Sequence, residues 1–152
     1  MSEAGYNSIS VKGDQSFSGI KSEARNPKSE TISNEENPKR RVYDLEERSL
    51  KFAERVISYI ETLHKSIANI EVSRQLVRAA GSIGANYIEA NESLGKKDFL
   101  MRIRISRKES KESRHWLRLS RPPENNSQER GELIQEATEL MKIFGSILVK
   151  SQ

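Results

Sequence analysis

The chain has no cysteine, which excludes a disulfide framework, a thiolate metal site and a thiol nucleophile. It has no apolar run longer than four residues, whereas a membrane-spanning helix needs about 20. Its first thirty residues lack the apolar segment of a signal peptide, so a soluble cytoplasmic protein is expected. Walker-type and glycine-rich phosphate loops are missing, and so is any Ser/His/Asp arrangement for nucleophilic catalysis. Strand-like alternation is missing as well. Apolar residues are scarce: of 152 residues, 34% are hydrophobic against 32% charged, and the mean hydropathy is −0.75. The length suits one domain, but this polarity implies that part of the chain stays outside the core.

Residues 1–42 are the part expected to stay outside. They are rich in Ser, Asn, Glu, Lys and Gly, and their few apolar residues follow no period, which is the composition of a disordered tail. The segment reads as an idle extension, as a basic arm ending in Lys39-Arg40-Arg41, or as sequence upstream of a true start near Val42. From Tyr43 the apolar spacing becomes helical. Helix A is expected at about 43–64, with Asp44 as N-cap, Glu47 completing a capping box, and Leu45, Phe52, Val56, Ile60 and Leu63 as its core stripe. Helix B is expected at about 70–93, with Val72, Leu76, Ala79, Ala80, Ile83, Tyr87 and Ala90 inward and Gly95 as a left-handed C-cap. Helix C runs over about 96–120 and stops at Pro122-Pro123, which cannot continue it. Helix D runs over about 127–150, with Asn126 as N-cap and Leu133, Ala137, Leu140, Phe144 and Ile147 inward. Short connections between four amphipathic helices predict an all-α, antiparallel up-down four-helix bundle over residues 43–152.

Charge is distributed unevenly over these segments. Residues 96–121 hold ten Lys/Arg against three Asp/Glu, a net of +7, although the whole chain carries only +4. Residues 43–95 and 122–152 each net −2, and residues 1–42 net +1. At about 100° per residue, Lys97, Arg104, Arg107, Lys108, Lys111, Arg114, Arg118 and Arg121 fall on one face of helix C. A stripe of that length, roughly 35 Å, can meet several phosphates of a nucleic acid. Such contacts position a polyanion without reading bases. The alternative is a solvated face, neutralised by acidic faces of helices A and D. Acidic residues able to pair i,i+4 within the stripe are nearly absent. The other half of helix C carries Phe99, Met101, Ile103, Ile105, Trp116, Leu117 and Leu119, with Ser106, Ser110 and Ser113 between them. Trp116 therefore points to the core, not to bases.

Several polar residues fall beside the apolar stripes: Glu109 and Glu112 on helix C, and Gln75, Arg78, Asn86 and Glu89 on helix B. A buried charge needs a partner, and Arg78 or Arg102 would supply one for Glu112 or Glu109. An interhelical network of Arg78, Asn86, Glu89 and Glu112 that sets register is expected, in preference to a catalytic carboxylate pair. Glu61-Thr62-Leu63-His64 and Glu112-Ser113-Arg114-His115 both spell Glu-x-x-His, the spacing used by di-metal bundles. Such a site needs its ligands inward at one level. His115 falls among Lys111, Arg114 and Arg118, and His64 lies off the core stripe at a helix end. No metal and no cofactor is expected.

The run from Arg74 through Gln75-Leu76-Val77-Arg78-Ala79-Ala80-Gly81-Ser82-Ile83-Gly84-Ala85-Asn86-Tyr87-Ile88-Glu89-Ala90 resembles the signature of small bacterial four-helix-bundle proteins encoded within 23S ribosomal RNA intervening sequences, the S23 family. Lys96-Lys97-Asp98-Phe99-Leu100, Ile105-Ser106-Arg107 with Glu112, and Tyr43-Asp44-Leu45 with Phe52-Ala53 extend the resemblance to about residues 43–150. The accessory variability-determinant proteins of diversity-generating retroelements are a related branch. Ala90 and Lys108-Glu109 stand where the family often has glycine or Gly-Ser, and residues 1–42 have no counterpart. The resemblance implies a bundle that assembles into a ring, typically a homopentamer, with basic surfaces toward RNA or DNA and no enzymatic activity. The expected function is thus a non-enzymatic, oligomeric, nucleic-acid-associated protein. A structural or protein-interaction bundle without a nucleic-acid role is the alternative.

Overall fold

Each helix forms for local reasons, and the ends show where those reasons compete. The computed structural model describes residues 38–152, with side chains from Leu45 onward, all within the compact unit Glu35–Gln152. Helices α1 (Pro38–Glu61), α2 (Ile67–Asn91), α3 (Lys96–Leu119) and α4 (Ser127–Lys150) follow in order, with a 3-10 turn at Glu124–Asn126 before α4. The α1 start lies five residues before the expected one, because proline's fixed φ suits a first helical position. Asp44 consequently sits inside α1 and does not cap it. Glu47 lies 3.5 Å from Lys51, one turn on. The expected tail lies outside the described residues except for its last five positions, which are helical.

At the start of α2 the cap is Ser66, whose hydroxyl accepts from the Asn69 N–H at 3.1 Å. This hydroxyl cap starts the helix three residues before the apolar period does. At its end, Glu92 and not Gly95 is the C-cap. Gly95 instead precedes α3 in an extended conformation, with φ −147°. Helices α3 and α4 begin and end as the spacing predicts, although the Asn126 side chain makes no cap bond.

Short links fold consecutive helices back on one another, and α3 packs between α2 and α4 while α1 packs against both of those helices. The core is built from Phe52, Val56, Tyr59, Leu76, Ile83, Ile103, Leu117, Leu133, Leu140 and Phe144, each at most 1% exposed. Tyr87 meets Phe144 edge-on, with ring centroids 5.6 Å apart, an arrangement aromatic quadrupoles favour. Ile60 and Ile147 are only half-buried. Tyr59, which carries a polar hydroxyl, takes a fully buried place on α1 instead. That hydroxyl lies 2.6 Å from Ser120 Oγ, and Ser120 Oγ in turn donates to Leu117 O.

The inward seam of α3 is largely serine. Ser106, Ser110 and Ser113 are fully buried, whereas Met101 and Leu119, expected inward, are about half exposed. Small side chains let α3 lie close to α2. Close enough, indeed, for Ser106 Oγ to donate to the Ile83 carbonyl across the interface at 3.0 Å. Ser110 Oγ donates to Ser106 O one turn back. Ser113 Oγ is buried with no hydrogen-bond partner among the described residues. Buried Asn69 ties the lower end together by donating to His64 O and Arg121 O and accepting from Arg121 N–H. Among the described residues no helix is long and apolar enough to cross a membrane.

Candidate nucleic-acid interface

The basic residues of α3 sort into a regular rail once the inward seam is placed. Phe99, Ile103, Ser106, Ser110, Ser113, Leu117 and Ser120 point into the bundle, at steps of three and four residues. One residue after each stand Leu100, Arg104, Arg107, Lys111, Arg114, Arg118 and Arg121, with Lys97 one heptad before Arg104. A seven-residue repeat drifts only about 20° per heptad on an α-helix. From Lys97 to Arg118 the rail therefore stays on one flank of α3, whereas Arg121 follows the extended Ser120 C-cap and lies beyond the helix end. The rail runs beside α4: the Arg107 guanidinium lies over Gly145, 3.5 Å from where a Cβ would stand. Arg114 is half-buried, and the other cations of the rail are exposed.

Lys97, Arg104, Arg107, Lys111, Arg114, Arg118 and Arg121 have no carboxylate within ion-pair distance among the described residues. Lys108 differs from them. Its Nζ lies 3.2 Å from Glu109 and 3.7 Å from Glu112, an i,i+4 pair. The hydrogen bond to Glu109 holds the Lys108 ammonium above its ordinary range. Lys108 stands one turn from Arg104 and borders the rail, but its charge is met by Glu109 and Glu112. The expected eight-residue stripe is thus seven cations plus one internally neutralised lysine.

The acidic residues of α4 face elsewhere. Arg48 grips Glu136 in a fork at 2.6 and 2.9 Å. Arg55 grips Glu129 at 3.0 and 2.9 Å and reaches Glu132 at 2.9 Å. These bonds hold Glu129, Glu132 and Glu136 against α1 and keep the Arg55 guanidinium above its usual pKa, chiefly through Glu129, while Glu139 accepts from Gln135. The opposite flank of α4, read at helical spacing from Gly145, carries Met141, Thr138 and Ile134 and no acid. Neutralisation of the rail by α4, the bland reading of its charge, is therefore not what the packing produces. Sequence reading missed both forks. Their signal was there: Arg48 and Arg55 are one heptad apart, as are Glu129 and Glu136, and antiparallel helices bring them into register.

The expected polar network forms in part and with a different hub. Arg102 pairs with Glu89, donates to Asn86 Oδ1 at 3.3 Å and lies 3.9 Å from Asp98. Arg78 and Glu112 do not join it. Glu112 is exposed and turned toward Lys108, and Arg78 is exposed on the outer side of α2. Glu109 is nearly covered, at 14% side-chain exposure, but its partner is Lys108. His115 is exposed and edge-on to Trp116 at 5.0 Å, while His64 is exposed at the α1–α2 turn. Neither Glu-x-x-His pair meets the other. Among the described residues no group of three or more His, Asp or Glu is placed to hold a metal ion.

A second surface runs along α1 and α2. Leu50, Ile57, Ile70, Val77 and Ile88 are all more than a third exposed, and helical spacing puts them on the facing flanks of these two helices. Between them lie open grooves of about 740 Å³ near Ile70 and Val77 and about 380 Å³ near Leu50 and Ile88. Gly84 lets the helices close at the groove floor, since a Cβ there would stand 3.3 Å from Ser49 Cβ. Glu46 and Glu47 rim one end, and Glu61, Lys65, Glu71, Arg74 and Arg78 rim the other. The apolar groove and the basic rail thus lie on different helix pairs.

The family model described as 23S rRNA-intervening sequence protein matches residues 41–146. A crystal structure of a protein of unknown function from the S23 ribosomal protein family of Bacteroides thetaiotaomicron superposes with a TM-score of 0.59 at 27% identity, covering 68% of this chain and 97% of that one. No curated protein matches.

Proposed function

The chain belongs to the 23S rRNA-intervening sequence protein family, and from that premise we propose that it is a non-enzymatic, oligomeric bundle that binds the phosphate backbone of nucleic acid along α3. The observation that carries this reading is the rail of six α3 cations, with Arg121 just beyond, all without carboxylate partners, beside an α4 whose Glu129, Glu132 and Glu136 are held by Arg55 and Arg48. Concentrated charge of one sign on a rigid element attracts polyanions and releases their counterions on contact. The α1–α2 groove serves as the subunit face. Its apolar centre suits a second copy of the chain, and its separation from α3 leaves the rail open in the assembly. A closed ring satisfies such a face without exposed ends, and the family resemblance favours five subunits.

The test is one variant measured in two ways. Arg107, Lys111, Arg114 and Arg118 are replaced together by Gln, a change of similar helix propensity. Gel-shift titration at two salt concentrations should show weaker binding to all sequences and a log–log salt slope shallower by a few units, about 0.9 per duplex phosphate lost. Light scattering should give the same assembly, several times 17.3 kDa, for both proteins. An unchanged slope in a folded, assembled variant removes α3 from binding. A monomer at micromolar concentration removes the ring. Feeble nucleic-acid binding by the parent protein, with the assembly altered in the variant, would favour a protein-interaction bundle instead.

A further inference from the structure

Resting on that reading, we propose that the rail is a seat for double-helical nucleic acid, RNA or DNA, and discriminates against single strands. Proteins that hold single strands combine a basic track with aromatic side chains on which unpaired bases stack. Among the described residues this rail has no Phe, Tyr or Trp platform, and the one exposed ring beside it, the His115 imidazole, lies edge-on to Trp116. Phe52, Tyr59, Tyr87 and Phe144 are buried in the core, Phe99 faces inward, and half-buried Trp116 packs against that core. Only Leu100 interrupts the cations, and no Asn, Gln, Asp or Glu occupies a rail position to read a base edge.

A flexible strand laid here would have to be ordered without stacking to offset the lost entropy. A duplex arrives already stacked and stiff. The rail is itself straight and stiff, because α3 is wedged between α2 and α4 and anchored by the Ser106–Ile83 and Asn69–Arg121 bonds. From Lys97 to Arg118 it spans roughly 32 Å, close to one turn of B-form duplex. Recognition by backbone alone also predicts indifference to sequence.

The experiment uses the full chain and four probes of one 25-nucleotide sequence: RNA duplex, DNA duplex, and the corresponding RNA and DNA single strands. At equal salt, at least one duplex should bind about tenfold or more tighter than either strand, with a salt slope near −0.9 per phosphate contacted. Comparing the two duplexes then identifies the source of the phosphates. Scrambling the duplex sequence should leave affinity within about threefold. The Gln quadruple variant should lose most of the duplex preference. Single strands that bind as tightly as both duplexes, or a preference that survives the Gln changes, overturn the inference while leaving nucleic-acid binding intact. Failure of all four probes to bind folded, assembled protein overturns the underlying reading as well.

Discussion

Gly145 is where the argument about the rail can be tested from the other helix. It sits inside α4, and Arg107 of α3 lies across it. Replacing it by Ala adds a Cβ 3.5 Å from Arg107 Nε, an ordinary contact with the movable end of a long side chain. Glycine in a helix interior costs about 0.5–1 kcal/mol relative to alanine, so Gly145→Ala should stabilise by about that amount. For a bundle of this size that raises the thermal midpoint by roughly 2–4 °C. Gly145→Glu has the same backbone benefit in part, but it places a carboxylate under Arg107 on a flank that has none. An exposed pair of this kind is worth roughly 0.2–1 kcal/mol, so the fold should tolerate it. Nucleic-acid binding should not, because Arg107 then has a local counterion. The salt slope of Gly145→Glu should be shallower than that of Gly145→Ala by about one unit. Thermal unfolding at fixed protein concentration, since assembly couples to stability, and parallel gel-shift titrations read both effects. Identical salt slopes for the two variants would show that Arg107 contacts no phosphate. A destabilised Gly145→Ala would show that the close approach of Arg107 was misjudged.

Other positions give further expectations. Arg55→Ala leaves Glu129 and Glu132 without their partner at positions a third to half exposed; it should cost about 0.5–1.5 kcal/mol, and denaturant titrations should find that cost shrinking with added salt. Ser113→Ala removes a buried hydroxyl that makes no hydrogen bond among the described residues and should raise stability by about 0.5–1 kcal/mol; a loss of stability would mean that the hydroxyl is satisfied. Burial pushes the Tyr59 and Tyr87 hydroxyls above their ordinary range. A folded pKa above the unfolded value of about 10 means that their contribution is complete below pH ~10 and lost as pH rises above it. The midpoint should fall above that pH and fall less in Tyr59→Phe, and equal alkaline profiles for the two proteins would contradict this.

Much of the architecture was legible in the sequence. Period-3.6 apolar spacing and Pro122-Pro123 placed α3 and α4 at their observed limits, because those signals act within one helix. Local signals erred where two of them competed: Ser66 starts α2 ahead of its apolar stripe, and Pro38 takes the start of α1 from Asp44. Hydropathy misjudged α3 for a different reason. Met101 and Leu119 lie half exposed, while the serines between the apolar residues form the inward seam because they are small. The run of cations on α3 and the family signature were also plain from the chain alone. What tertiary structure decided is which of those cations are available. An ion pair between helices depends on register and on which flank faces which neighbour, and neither is a property of one helix. Packing gave Glu129, Glu132 and Glu136 to Arg55 and Arg48, turned Glu112 toward Lys108, made Arg102 the hub in place of Arg78, and left Arg104, Arg107, Lys111, Arg114 and Arg118 without carboxylate partners.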